Sequence, residues 1–395
     1  MLLKDHLIKL PTRARVPLST FVSFVVDEVQ MLEPQRTRRY TRVLHFERLS
    51  LVLVAVGLAA LAGCGSAATH TAYVSLPNSN AVAAYRIDNS SAQLTAIVGS
   101  PYPAGTSPSS VVVHPSKRFA YAANQIGNNI SLLPINSTLG SLTETLPRTS
   151  AGLAPASLVM DTPGNFLFAL NQVSSNISAY SINSGSGALS PVAGSPFTTF
   201  PNPVAFAITP SGKFLYVVNA NLASVFAYTV TSGVVRAVAG LPVQVGNGPF
   251  GITVDPGEKF VYVANSADNT VSVLSINSAT GALTPVGSFT AGTQPNSVAV
   301  LGKYLYVANL GSSNISVFSV NATTGVLTQT ANSPFSAGGA PSFEVIDPNG
   351  KFLYTGSQST TSISVMSIDS TTGALTTTSQ SASIGVAPSS MSVTK

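Results

Sequence analysis

The stretches "KFVYVANSADNTVSVLSINSATGALT" (Lys259–Thr284) and "KYLYVANLGSSNISVFSVNATTGVLT" (Lys303–Thr328) are one sentence written twice. Extended back to its proline, the first becomes a unit, Pro249–Gly292, of four strand-length runs parted by turn residues. "PFGITVD" alternates and reads as strand A, "FVYVAN" as strand B, "TVSVLSI" as strand C and "LTPVGSF" as strand D, with "PGEK", "SADN" and "NSATGA" as the turns. The aromatic of strand B recurs at Tyr73, Tyr121, Phe168, Tyr216, Tyr262, Tyr306 and Tyr354, in steps of 48, 47, 48, 46, 44 and 48 residues. A proline opens strand A at Pro108, Pro155, Pro203, Pro249, Pro295, Pro341 and Pro388. Seven units of this length and content predict an all-β chain, a seven-bladed β-propeller of four-stranded antiparallel blades.

Two further patterns fit a closed ring. Counting from the proline, the third and fifth residues of strand A are large (Val111/Val113, Leu158/Met160, Phe206/Ile208, Ile252/Val254, Val298/Val300), and the second and fourth mostly small. Period-two alternation puts these sets on opposite faces, so each blade offers a large face to one neighbour and a small face to the other. The body begins in a strand B, "HTAYVSL" (His70–Leu76), and ends on a lone strand A, "PSSMSVTK" (Pro388–Lys395). Together these halves make one blade shared between the termini, which leaves the ring no open edge.

The chain has 395 residues and a formal net charge of +5, and that charge is unevenly placed. Residues 1–63 hold nine Lys/Arg against five Asp/Glu; the remainder hold ten against nine. The body therefore carries no cationic field for phosphates, and nucleic acid is not an expected partner. Ahead of the body, "RTRRYTRVLHFERLS" (Arg36–Ser50) runs into "LVLVAVGLAALAGCGS" (Leu51–Ser66), a basic region, a short apolar core and small residues in the order of a secretory signal. The apolar run is too short to span a bilayer as a helix, which takes about 20 residues. The ending Leu61-Ala62-Gly63-Cys64 resembles the bacterial lipobox, whose cysteine is acylated after cleavage. Residues 1–30 then read as a mis-assigned upstream extension before a second start at Met31, residues 31–63 as the lipoprotein signal peptide, 64–71 as a short tether and 72–395 as the propeller. The implied location is the cell envelope, periplasm or outer membrane, with the membrane a partner through lipidated Cys64.

Antiparallel strands put the D-to-A and B-to-C connections on one rim, here called the top, and the A-to-B and C-to-D connections on the bottom. The top collects Gly-x-x-Pro segments and Asn-rich turns; Asn124, Asn171, Asn219, Asn265 and Asn309 are its expected binding residues. The bottom collects Asp-Pro-x-Gly-Lys turns, whose charges read as solvated turn residues. Ionisable groups near the top are few: Arg148 in "LPRTSAGLAP", Asp268 in "SADN", and Glu344, which stands where other blades have a large apolar residue. Glu344 has two readings. It is either an acid or base at the tunnel mouth, or the product of a locally flipped strand with Phe343 turned inward and Glu344 partly wet. There is no G-x-S-x-G elbow or phosphate-binding loop, and His70 and His114 have no companions at metal-ligand spacing, so neither metal nor cofactor is expected.

The units "P-x-x-[VI]-x-[VI]-D-P-x-G-K-F-[LV]-Y-V-[AV]-N" followed by "S-[VI]-x-x-x-x-T-G-x-L" resemble the lactonase family of seven-bladed propellers and the extracellular Y-V-T-N repeat propellers. The resemblance covers about residues 70–395 and implies the fold; the family includes enzymes similar to 6-phosphogluconolactonase. In those enzymes the Gly-x-x-Pro loop often continues into an Arg-His pair, and no blade here has one, so no catalytic residue carries over. The expectation is a non-catalytic, lipid-anchored binding or scaffold module whose uncharged top contacts a neutral metabolite, a glycan or an envelope protein. The rival is a lactone hydrolase working through Arg148 and an acid, Asp268 or Glu344.

Overall fold

The computed structural model describes residues 69–394 apart from Leu241. Cys64 and the segments read as signal peptide and upstream extension lie outside the described residues. Seven antiparallel sheets follow one another, each built A-B-C-D from its inner to its outer strand. Blades 1 to 6 open with inner strands Pro108–Val113, Pro155–Met160, Pro203–Ile208, Pro249–Val254, Pro295–Leu301 and Pro341–Ile346. Blade 7 takes its inner strand from the C-terminus, Ser390–Val393, which pairs with Thr69–Leu76 through Ala72↔Val393 and Ser75↔Ser390. The seven-bladed all-β fold and the shared closing blade are as the sequence predicts.

The alternation of strand A does the work expected of it. Between blades 1 and 2, Phe119 and Tyr121 of one pack on Leu158, Leu167 and Ala169 of the next, and an equivalent apolar layer fills each junction. The small face allows close approach. Ser110 Oγ accepts the backbone N–H of Leu158 at 3.2 Å, and Ser390 Oγ accepts that of Val111 at 3.1 Å. At Gly251 a β-carbon would lie 2.5 Å from the Asn296 carbonyl oxygen.

In each of the six complete blades the ladder between strands A and B slips one residue just after the proline, as between Pro108 and Ser110. This is a β-bulge. The residue after the proline leaves the alternation, and seven such positions gather around the axis.

The bottom rim corrects one expectation. Asp161, Asp347 and the equivalent His114 are buried, not solvated. Asp347 Oδ1 accepts the backbone N–H groups of Lys351 and Phe352, both at 2.6 Å, and Asp161 Oδ1 accepts that of Phe166 at 2.7 Å. Each carboxylate closes its own A-to-B turn by taking amides that the strands leave free.

Candidate functional site

Five strands B end in a buried asparagine: Asn124, Asn171, Asn219, Asn265 and Asn309. These residues do not present their amides on the rim. In four blades the amide turns inward onto strand C, as where Asn124 Nδ2 donates to Asn129 Oδ1 (2.7 Å) and Ser131 Oγ (2.9 Å), and likewise from Asn171, Asn265 and Asn309. Blade 3 has Phe226 where the others have that serine, and there Asn219 Nδ2 donates to the Pro201 carbonyl instead. The glycine of the Gly-x-x-Pro loop lies directly over the amide. A β-carbon on Gly105, Gly152, Gly246 or Gly292 would fall 2.3–2.7 Å from atoms of Asn124, Asn171, Asn265 or Asn309. The two motifs that mark the top in sequence are thus one internal lock.

The three ionisable candidates are not brought together. Arg148 stands on Thr145–Ser150, the outermost strand of blade 1, where its Nε donates to Glu144 Oε1 at 2.7 Å and its Nη2 to Glu144 Oε2 at 2.8 Å. Glu144, which the sequence reading passed over, also accepts from Ser131 Oγ, so the pair ties the outer strand to the lock. Asp268 of blade 4 is held by Asn247, whose backbone N–H donates to Oδ2 at 2.7 Å and whose Nδ2 donates to Oδ1 at 3.1 Å.

Glu344 of blade 6 is sealed between blades 5 and 6, 7% exposed, with neither carboxyl oxygen hydrogen-bonded. Its strand is not flipped. Phe343↔Gly356 and Glu344↔Thr355 repeat the register Ser297↔Ala308 and Val298↔Val307 of blade 5, so Glu344 takes the large-residue position and Phe343 the small one. Phe343 fits because strand B carries Gly356, where a β-carbon would lie 2.0 Å from the ring. Burial holds the Glu344 carboxyl well above its usual range.

What opens at the top is a cavity of about 730 Å³ on the axis, within the size range of small-molecule sites. Its wall is made by the bulge residues and their successors, and its mouth by the residues that follow strand B, among them Gln125, Gln172, Ser266, Leu310 and Gln358. Among the described residues no Asp, Glu, His, Lys, Arg, Tyr or Cys lines it. Among the described residues no three His, Cys, Asp or Glu side chains cluster as a metal site would need.

Four of the seven residues of this ring are stitched by hydrogen bonds between blades. Asn296 Nδ2 donates to the Ser342 carbonyl (3.2 Å), Ser342 Oγ to that of Pro388 (3.3 Å), Ser389 Oγ to that of Pro108 (3.2 Å) and Ser109 Oγ to that of Pro155 (2.9 Å). The other three are Ala156, Val204 and Phe250, whose side chains can make no such bond. Asn296 Oδ1, buried in the wall, has no partner. Sequence reasoning missed these residues because it followed the alternating columns; the one signal available was that the residue after each proline varies while its neighbours repeat.

The family model of the lactonase, seven-bladed β-propeller matches residues 65–206 and 205–392. No curated protein matches the sequence. Among solved structures, a Bacteroides fragilis protein named as a candidate 6-phosphogluconolactonase is similar with a TM-score of 0.72 and 20% identity, over 84% of this chain and 99% of its own. The Pseudomonas aeruginosa periplasmic gluconolactonase is similar with a TM-score of 0.71 and 18% identity, over 83% and 99%. A Lactobacillus plantarum protein gives 0.70 and 19%, over 83% and 100%.

Proposed function

The chain belongs to the lactonase family of seven-bladed β-propellers, and we propose that it serves there as a non-catalytic binding module for an uncharged ligand held in the axial cavity. One observation carries this reading: among the described residues the cavity is lined by serine, asparagine, glutamine and apolar side chains, none of which can activate water or stabilise an oxyanion by charge. Arg148 and Asp268 are engaged by their own neighbours, and Glu344 is walled off.

The second reading is a lactone hydrolase. It is favoured by the family and by the names of two of the structural relatives, one a gluconolactonase. Assay of the full chain on sugar lactones, phosphosugar lactones and muconolactone separates the two. The binding reading expects no turnover; hydrolysis lost in Arg148→Ala or Glu344→Gln would replace it with an enzyme.

We also propose a lipid anchor at Cys64 and an envelope location, supported by the sequence "LAGC" after an apolar run. Every strand B runs from bottom to top, so the chain enters Thr69–Leu76 at the bottom rim, opposite the cavity mouth. Palmitate incorporation by the native chain and not by Cys64→Ser is the expected result; equal labelling of both would remove the anchor.

A further inference from the structure

Exposed apolar side chains crowd one side of the top. Ile126, Val173 and Leu222 project from the B-to-C turns of blades 1, 2 and 3, Leu153 and Phe200 from the loops between those blades, and Phe250 from the bulge of blade 4; Ile126 and Val173 are 69% and 67% exposed. At these places, the second and third after strand B, the turns of blades 4 to 7 have Ala267 and Asp268, Gly311 and Ser312, Ser359 and Thr360, and Asn78 and Ser79. Phe200 is held in position by stacking on Phe226 with ring centroids 4.1 Å apart.

This crescent runs into the cavity. Phe250 belongs to both, half-exposed above and part of the wall below, and Ala156 and Val204 continue the apolar side inward. The hydroxyl and amide side, Asn296, Ser342, Ser389 and Ser109, completes the ring. Gln358, exposed at the mouth on this side, offers its amide to whatever fills the cavity. The site is therefore two-sided and without charge.

We propose that its occupant is an uncharged amphiphile: a hydroxyl-bearing ring joined to an apolar arm, the ring hydrogen-bonding the Gln358 amide at the mouth and stacking against Phe250, the arm lying over the crescent. The assignment rests on the binding reading above and adds the ligand class. Charge complementarity decides against an acid or an amine, since either would be desolvated with no counter-charge in the wall. A second protein copy is disfavoured because the apolar surface continues down into a cavity too narrow for a folded domain to follow.

The test uses the full chain with three matched probes, phenyl β-glucoside, glucose and phenyl β-glucuronide, followed by saturation-transfer NMR and equilibrium dialysis. Phenyl glucoside is expected to bind about tenfold more tightly than glucose, which lacks the arm, and than the glucuronide, which adds a carboxylate. Phe250→Ala and Gln358→Ala should each weaken it about tenfold; Leu139→Ser, on the bottom rim, should leave it unchanged. Phe250 and Gln358 are exposed at the mouth, so their variants report on binding and not on the fold. Absence of phenyl glucoside binding, equal binding of the glucuronide, or insensitivity to Phe250→Ala would overturn the assignment. Dimerisation of the native chain abolished by Ile126→Ser with Leu153→Ser would give the crescent to a second copy and overturn it too. Lactone turnover would instead defeat the binding reading, whichever way the probes rank.

Discussion

Glu344 stands in blade 6 where Val111, Leu158, Phe206, Ile252, Val298 and Met391 stand in the others. Around it, Thr355 Oγ1, opposite it in the sheet, and the Tyr306 hydroxyl also lack partners. A carboxyl so placed is best kept neutral, and its folded pKa lies above the unfolded value because burial penalises the charge. The folded state then holds a proton that the unfolded chain releases. Its contribution is intact below the ordinary glutamate range and is lost as pH rises from there towards the raised folded value. Glu344→Gln should flatten this decline, and Glu344→Leu should raise stability by about 1–3 kcal/mol at pH 8, since it also removes unpaired buried polar atoms. Thermal unfolding from pH 5 to pH 9 checks both; a native slope that survives both substitutions would assign the titration elsewhere. Sequence showed Glu344 as the odd residue in its column. It could not show the register, because a one-residue slip and a large-for-small exchange leave the same string; the deciding residue is Gly356, one strand away. The asparagines show a similar limit, for their positions were legible but the inward turn of each amide depends on Ser131, Ser178, Ser272 and Ser316 across the next strand.

The strand and turn that make a blade also carry its contact with the next one. The first aromatic of strand B lies on the glycine of the following blade's C-to-D turn: Phe119 on Gly187, Phe166 on Gly233, Phe214 on Gly281, Phe260 on Gly325 and Tyr304 on Gly373. These glycines have φ between 74° and 79°, the left-handed region, and the ring leaves no room for a β-carbon. The Thr-Gly-x-Leu signature is therefore half of an inter-blade contact whose other half is some 65 residues upstream. Gly281→Ala would place its β-carbon 2.3 Å from the Phe214 ring while straining the backbone, and should cost about 2–4 kcal/mol. Gly302→Ala has the same handedness of backbone (φ 56°) but open space around it, and should cost only about 1 kcal/mol. Urea unfolding of the pair measures the difference; equal losses would mean that the ring yields and that backbone strain is the whole effect.

At the scale of the whole molecule, the sequence was legible wherever a blade must repeat itself. Strand order, blade number, the two faces of strand A and the split blade all follow from columns that recur because every junction needs the same surface. The candidate site was not legible for the converse reason. Ser109, Ala156, Val204, Phe250, Asn296, Ser342 and Ser389 face the axis through a bulge that suspends the alternation, so no period marks them, and their variety is what makes the cavity two-sided. That cavity exists only if the ring is closed, and closure rests on a short C-terminal strand. Ser390–Val393 pairs with Thr69–Leu76, receives the Val111 and Val113 amides on Ser390 and Ser392 Oγ at 3.1 and 3.2 Å, and places Met391 in the apolar layer against Phe343 and Tyr354. Deleting Pro388–Lys395 removes the inner strand of blade 7 and uncovers the flanks of blades 6 and 1 together. The shortened chain is expected to lose its single cooperative transition, bind a hydrophobic dye and be cut by protease within blade 7 at rates the native chain resists. Addition of a Pro388–Lys395 peptide in trans should restore part of the resistance, as strand pairing alone would require. A shortened chain that unfolds at the native temperature and stays protease-resistant would show that the other six junctions hold the ring without closure, and that the cavity does not depend on its last strand.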